Sequence, residues 1–506
     1  MMWKLRRDVT GDTYIHLTFA RNIAQGDGFS YNRGEPSNAS TSPLWSVILA
    51  DLYRLVGHEK VLDAGRIVAG LFHLLSILLM YLVVKQVLPG SPVAVLAAFL
   101  WALNPNAADW AMRAMDTSLF ILVVLLSAFL LSTPLHFFTV EPLVVLGVVL
   151  GFVILSRPEG WLWFIISMIF SAMNLGGAQD KSLLLGLFLL STVVVVSPYY
   201  IWMLLRFKTI FPSSTARILH HRQFAERWGP LFYHKDAYNL VVRGLYKSLI
   251  PFALLGVALL VYQGFVWADV ALSTLLLFTI AIVAVYSFVV PGIDYGYRYI
   301  LPALPGVIIF SVYGLDLLHQ YLPMPVWILL LTYVVWIFIR RSHEEFIRTR
   351  EFMESYMIGQ EEPVRSAMAK WVRDNLPADV TIAAKEVDQL AFHSKQGQRI
   401  LSIDGLIGGE ALPYLQEGKL PQFLNKFRPT HILIEGQIYR GNYPFWSSTE
   451  LAKLADDKRF EKDGSYKING LKFTMLHEES FHPFVDMKGK LSKEKVFWRL
   501  FSIQYI

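Results

Sequence analysis

The chain has 506 residues, is 54% hydrophobic with a mean hydropathy of +0.42, and carries 46 Lys/Arg against 40 Asp/Glu for a net charge of +6. It has no cysteine, which excludes disulfides, thiolate nucleophiles and thiolate zinc sites. Its basic residues form no aromatic-interleaved groove and no recognised nucleic-acid module, which argues against nucleic acid as a partner.

Charge is unevenly spread. Residues 1–340 hold 22 Lys/Arg and 17 Asp/Glu, and residues 341–506 hold the remaining 24 and 23. The first two-thirds is charge-poor, and the last third has the composition of an ordinary soluble domain. The fold class expected is an all-α polytopic membrane body of about ten spans with a C-terminal soluble α/β domain. The domain boundaries expected are 1–64 for a first loop with interfacial helices, 65–340 for the transmembrane body and 341–506 for the α/β domain.

In chain order, the first element is a polar run, Gly11-Asp12-Thr13-Tyr14-Ile15-His16, followed by a helical pattern through Ala20 and Ile23. Asp12 can serve as a helix N-cap or as a general base, since a carboxylate beside a low-dielectric surface can accept a hydroxyl proton. Residues 44–57 are apolar but short, which fits a helix lying in the interface with Trp45 and Tyr53 as anchors. A membrane helix needs about 20 mostly apolar residues. Apolar stretches at 65–88, 92–104, 117–134, 140–156, 159–174, 182–205, 247–263, 268–290, 299–319 and 323–340 supply ten candidate spans.

An even span count puts the N-terminal run and the C-terminal domain on one side. The same parity gathers Asn104 to Asp116, Arg157 to Gly160, Arg206 to Tyr246 and Asp294 to Arg298 there. Met115-Asp116-Thr117 opens a span, and Asp116 can cap that helix with Arg113 neutralising it. Arg157-Pro158-Glu159-Gly160 separates two spans, where an Arg and a Glu at the membrane edge either pair with one another or serve a site. Arg217 with His220-His221 suits phosphate, because a guanidinium binds its oxygens bidentately. Adjacent histidines lack the spacing of helical metal ligands. Tyr295, Tyr297, Arg298 and Tyr299 form an aromatic and basic cluster that can be an interfacial belt or part of a site. The excess of cations in 206–247 reads either as a cytoplasmic face or as a face that binds an anionic ligand.

Taken together, Asp12 to His16, Ala20-Arg21-Asn22, Gly28-Phe29, Tyr31-Asn32, Gly34-Glu35 and Ser40 to Trp45 resemble the first external loop of GT-C glycosyltransferases. The likeness is greatest to the bacterial arabinofuranosyltransferase and mannosyltransferase-like branch. Met115-Asp116-Thr117 resembles that branch's Met-Glu-Thr element, Arg157 to Gly160 matches its Arg-Pro-Glu-Gly, Pro212 to Arg217 is looser, and Arg298-Tyr299 with Pro302 resembles its Arg-Tyr followed by Leu-Pro. In the tail, the helix at Val364–Asn375, then Val380–Ala384 and Ile403 to Leu406, is also similar.

The resemblance implies an integral protein of the cytoplasmic membrane with its active face and C-terminal domain outside the cytoplasm. It implies an inverting sugar transfer from a polyprenyl-phosphate donor to a glycan, lipid or protein acceptor. Asp12 would be the general base. Arg217, Arg298 and His220 would bind the donor phosphate. His16, Arg21, Arg113, Asp116, Arg157, Glu159 and Tyr297 would shape the site. No organic cofactor is implied, and a divalent metal is compatible with the family. Two departures are visible. Gly11 stands where the family often has a second acid, and the helix that precedes this loop in the family has no counterpart in the eleven residues before Asp12. A gene start placed too late is the expected reason, to be checked by an in-frame apolar stretch upstream in the genome. The competing classes are a transporter or flippase for an anionic lipid or glycan, and a non-catalytic relative.

Overall fold

The structure is a computed structural model. It describes residues 11–133, 140–174, 181–214, 249–264, 269–286, 298–355, 358–385, 387–403, 405–407, 411, 414, 420–437, 461, 465–468, 470–481 and 496–505. Helix α1 (Gly11–Ala24) and a small hairpin of β1 (Ser30–Asn32) and β2 (Glu35–Pro36) precede α2 (Pro43–Val56). Pro43 at the start of α2 fits a position whose N–H has no intrahelical partner. The apolar series follows as α3 (Val61–Val87), α4 (Val93–Ala102), α5 (Pro105–Met112), α6 (Thr117–Leu131), α7 (Val140–Ser156), α8 (Gly160–Asn174) and α9 (Lys181–Phe207). It continues with α10 (Ile250–Tyr262), α11 (Val270–Ala284), a short 3-10 turn at Leu301–Ala303, α12 (Leu304–Tyr321) and α13 (Met324–Ser355).

Each of the ten apolar stretches contains a helix. By length and composition, four helices are able to cross a membrane: Val61–Val87, Ser182–Phe207, Leu301–Tyr321 and Met324–Ile347. The six other apolar helices have 10–17 residues. The outer surfaces of the long helices explain the low charge of this part of the chain. Ile67, Leu71, Leu74 and Leu78 on α3, and Leu329, Tyr333 and Trp336 on α13, face outward, as lipid-facing side chains do. The interior is one continuous apolar core running from Trp45 through Trp101, Phe120, Trp163 and Phe278 to Phe338.

Helix α13 runs unbroken across residues 340 and 341 and leads to α14 (Ile358–Asn375). Beyond it lies a sheet of six described strands: β3 (Thr381–Ala384), β4 (Arg399–Ser402), β5 (His431–Gln437), β6 (Ser465–Ile468), β7 (Leu471–Phe481) and β8 (Val496–Tyr505), in the order β4-β3-β5-β8-β7-β6. Strand β3 is parallel to β4 and β5, and the remaining pairs are antiparallel. Helices α15 (Asp388–His393) and α16 (Leu420–Phe427) are the other described helices of this unit. Side chains alternate across the sheet, as the strand period of two requires. Ile382, Ala384, Leu433, Trp498 and Leu500 join one core, while Ala383, Ile432, Ile434 and Phe501 join the other with Phe423 and Leu424 of α16.

The first of those two cores also contains Phe19, Tyr31 and Ala39. The N-terminal loop and the C-terminal domain therefore share buried apolar surface. Polar bonds complete the join. Asn32 acts as an extra rung on β4, donating from Nδ2 to Ile400 O at 3.0 Å and accepting from Ile400 N at 2.8 Å. Tyr31 donates to Val387 O at 2.9 Å and Ser37 to Ile407 O at 3.0 Å.

Candidate active site

Five charged groups from four separate parts of the chain meet at one end of the helical body. Asp12 lies in the first turn of α1 and ion-pairs with Arg298, which stands just before the 3-10 turn. The other terminal nitrogen of Arg298 reaches Asp116 at 3.3 Å. Asp116 also accepts from Arg157 at 3.2 Å, and Arg157 pairs with Glu159 at 2.8 Å. The chain of contacts is thus Asp12, Arg298, Asp116, Arg157, Glu159. These four parts, which an even span count gathers on one side, are in direct contact.

Aromatic rings wall the network. Tyr286 donates to Glu159 Oε1 at 2.6 Å and stacks on Tyr299 with centroids 5.0 Å apart. The guanidinium groups of Arg157 and Arg298 lie 5.8 and 5.6 Å from the Tyr299 ring centre. Trp110 of α5 lies between two cations, with Arg113 at 4.5 Å and Arg298 at 5.7 Å. Such faces attract cations electrostatically and hold the planar guanidinium in one orientation. Helix α5 owes its placement to Asn104, whose buried side-chain oxygen caps it by accepting from Asn106 N at 3.0 Å and Ala107 N at 3.2 Å.

Burial alone would raise the carboxyl group of Asp116. The adjoining guanidiniums of Arg157 and Arg298 outweigh it and hold that carboxyl below the usual range. His16 is one helical turn beyond Asp12 and buried, and burial keeps its imidazole neutral against the pull of the Asp116 charge. Its Nδ1 has no hydrogen-bond partner among the described residues.

Residues 40–202 match the family described as dolichyl-phosphate-mannose-protein mannosyltransferase. No curated protein sequence matches the chain. Among solved structures, ArnT from Cupriavidus metallidurans bound to undecaprenyl phosphate superposes with a TM-score of 0.59 at 12% identity, covering 98% of this chain and 95% of that one. The apo oligosaccharyltransferase of Archaeoglobus fulgidus gives 0.56 at 13% identity, over 90% of this chain and 69% of that one. AglB from Archaeoglobus fulgidus, in complex with an inhibitory peptide and a dolichol-phosphate, gives 0.57 at 13% identity, over 99% and 70%. The fold is that of the GT-C glycosyltransferases. The family match and this fold together are those of a membrane-embedded GT-C-type glycosyltransferase.

Within this GT-C fold the expected site residues divide into three groups. Asp12, His16, Asp116, Arg157, Glu159 and Arg298 come together as described. Asp116 does not cap α6, since its side chain makes no cap hydrogen bond and is turned to the two arginines. Arg298 is buried among acids, not splayed at an interfacial belt.

Arg113 and Arg21 are placed differently. Arg113 does not neutralise Asp116. It pairs with Asp109 at 2.8 Å, four residues back along α5. Ala114 follows in a left-handed conformation, with φ of 55°, and that turn separates Arg113 from Asp116. Burial raises the Asp109 carboxyl despite Arg113. Arg21 lies at the far end of α1 and faces away from the charged network. It donates to Ala391 O and Phe392 O, both at 2.8 Å, and so holds the C-terminal domain. Arg217, His220 and Tyr297 fall outside the described residues.

Sequence reasoning missed Tyr286 and Trp110. Trp110 lies in the short helix α5 and Tyr286 just beyond the end of the apolar α11, and an aromatic residue in either place gives no signal that separates a site wall from ordinary packing.

Among the described residues, the donor set does not fit a divalent metal. Asp12 and Asp116 are both engaged by Arg298, and the described residues contain no cluster of three His, Asp or Glu able to hold an ion.

Proposed function

We propose that this protein transfers a sugar from a polyprenyl-phosphate donor to an acceptor hydroxyl on the extracytoplasmic side of the cytoplasmic membrane, with inversion at the anomeric carbon. Asp12 is the general base. The observation that carries this assignment is exposure. The Asp12 side chain is 40% exposed, while Asp116 is 1% and Glu159 8% exposed. Of the three carboxylates in the network, only Asp12 can meet an acceptor arriving from water.

The acceptor oxygen attacks the anomeric carbon and its proton passes to Asp12. The bond from that carbon to the phosphate oxygen breaks, and polyprenyl phosphate leaves. Arg298 is the preorganised cation for the charge that develops on the phosphate. In the free protein it pairs with Asp12. A donor phosphate competes for the same guanidinium, which frees the Asp12 carboxylate to accept a proton. Asp116 stays behind Arg298 and keeps it in place. Arg217 and His220 belong to the same proposal as further phosphate ligands, and the apolar helices offer the prenyl chain its groove.

The test uses purified protein and a labelled polyprenyl-phosphate sugar. Wild-type protein releases polyprenyl phosphate in the presence of acceptor. Asp12→Asn lowers transfer by about 100-fold or more, the scale of a lost general base, with expression intact. Undiminished transfer by that variant removes Asp12 as the base. No release from any polyprenyl-phosphate sugar removes the reading as a whole.

A further inference from the structure

Gly11 is the first described residue of α1, immediately before Asp12. Its backbone is not in the left-handed region, so its lack of a side chain is not needed for conformation. It is needed for space. A Cβ built there would stand 3.3 Å from Cγ and 3.5 Å from Cβ of Asp388, and would collide with Asp388 Oδ2. The Asp388 carboxylate, from the C-terminal domain, thus lies in the volume that a side chain at residue 11 would fill.

Asp388 is buried and fixed. Arg365 of α14 donates to its Oδ2 at 2.9 Å, and Gln389 N donates to its Oδ1 at 2.6 Å. Arg365 itself lies 5.7 Å from the centre of the buried Trp498 ring. The carboxylate is therefore anchored to the core of the sheet and aimed at the first turn of α1. Ten residues on, Arg21 donates to the carbonyls of Ala391 and Phe392 at the end of α15. With Asp388 packed on Gly11 at one end and Arg21 bonded to these carbonyls at the other, α15 is a splint along α1.

We propose that Asp388 is a positioning residue for Asp12, and that Gly11 is the space it requires. The carboxylate of the C-terminal domain sets the first turn of α1, and with it the distance and direction of Asp12 towards Arg298. This rests on the assignment of Asp12 as the base for its kinetic consequence, but not for the contact itself. Misplacing a catalytic group by about 1 Å can cost about 100-fold in rate.

The experiment is a double-mutant cycle on the full-length protein in detergent or nanodiscs, with Gly11→Ala, Asp388→Ala, the double variant and Asp388→Asn. Two quantities are read: kcat and KM for the polyprenyl-phosphate sugar, and hydrogen exchange of the α1 amides. Gly11→Ala lowers kcat by about 100-fold with little change in donor KM, and it speeds exchange in the first turn of α1. The double variant is no worse than Gly11→Ala alone and regains part of the loss, because the collision is gone. Asp388→Asn keeps the shape and loses the charge, so it falls between wild type and Asp388→Ala. Additive losses in the cycle, or wild-type exchange and kcat in Gly11→Ala, overturn the proposal. Where wild-type protein transfers no sugar, the functional reading fails by itself and the exchange cycle alone decides the contact.

Discussion

At the scale of single residues, the site is a chain of alternating charges in which each interior member has two partners. Asp116 is the clearest case, being 1% exposed and accepting from both Arg157 and Arg298. Asp116→Asn leaves two buried guanidiniums short of charge, a change that costs about 3–5 kcal/mol where a buried pair is broken. The expected outcome is a lower midpoint of thermal unfolding together with lost transfer, measured on the same preparation. Tyr286→Phe is a milder probe. It removes one hydrogen bond to Glu159, a member of the Arg157 ion pair, worth about 1.5–3 kcal/mol, and a variant with unchanged stability contradicts that value. Much of this site was legible in the sequence because ionisable residues are scarce in the apolar stretches, so Asp116, Arg157, Glu159 and Arg298 stand out there. Their partners were not legible. Asp116 has Arg113 near it in sequence, yet it pairs with Arg157, 41 residues away, and Arg298, 182 residues away. The left-handed turn at Ala114, which redirects the chain between Arg113 and Asp116, has no glycine or asparagine to announce it.

At the scale of elements, ten apolar stretches became helices because each carries a long run of Leu, Val, Ile and Phe with few breakers, and the membrane body follows from composition. Which helices touch does not follow from composition. Helices α10 and α12 approach closely at Gly256 and Gly314. A Cβ on either would stand 3.0 Å from the other's backbone nitrogen and collide with the carbonyl of Phe310 or Phe252. Small residues at such a crossing let backbones meet in a lipid setting where apolar burial between helices gains little. Gly314→Ala therefore pushes α12 from α10, an overpacking that costs about 1–3 kcal/mol. The helix is 78% buried along its apolar window, so it has no open side to shift towards. A lowered unfolding midpoint in detergent, with α1 exchange unaffected, is the expected result. An unchanged midpoint sinks the crossing as a tight contact.

At the scale of the whole molecule, the C-terminal domain is held to the N-terminal loop by a shared core and by a pair of imidazoles. His58 follows α2, and His393 ends α15. Their ring nitrogens, Nε2 and Nδ1, are 3.3 Å apart, and Phe392 stacks on His58 with centroids at 4.2 Å. Burial lowers both rings. At His393 it is joined by His58, Lys370, Arg373 and Arg21, and the result falls to about 3; at His58 burial dominates over the opposing charge of Glu59. The bond needs one neutral ring as acceptor, and both rings are neutral near pH 7. In the unfolded chain each histidine takes up a proton near pH 6.5. The undocked and unfolded states therefore bind more protons than the docked state below that pH, and stability falls as pH drops from about 6.5. For His393 the loss continues to about 3, where the docked ring also protonates. Carboxylates titrate in the lower half of that range, so the informative window is roughly pH 6.5 to 5. Thermal unfolding and limited proteolysis across that window check the prediction. Wild-type protein loses stability and becomes easier to cleave as pH falls. His393→Asn removes one of the two titrating rings at the interface and lessens the slope. An equal slope in that variant means that the pH dependence arises elsewhere in the molecule.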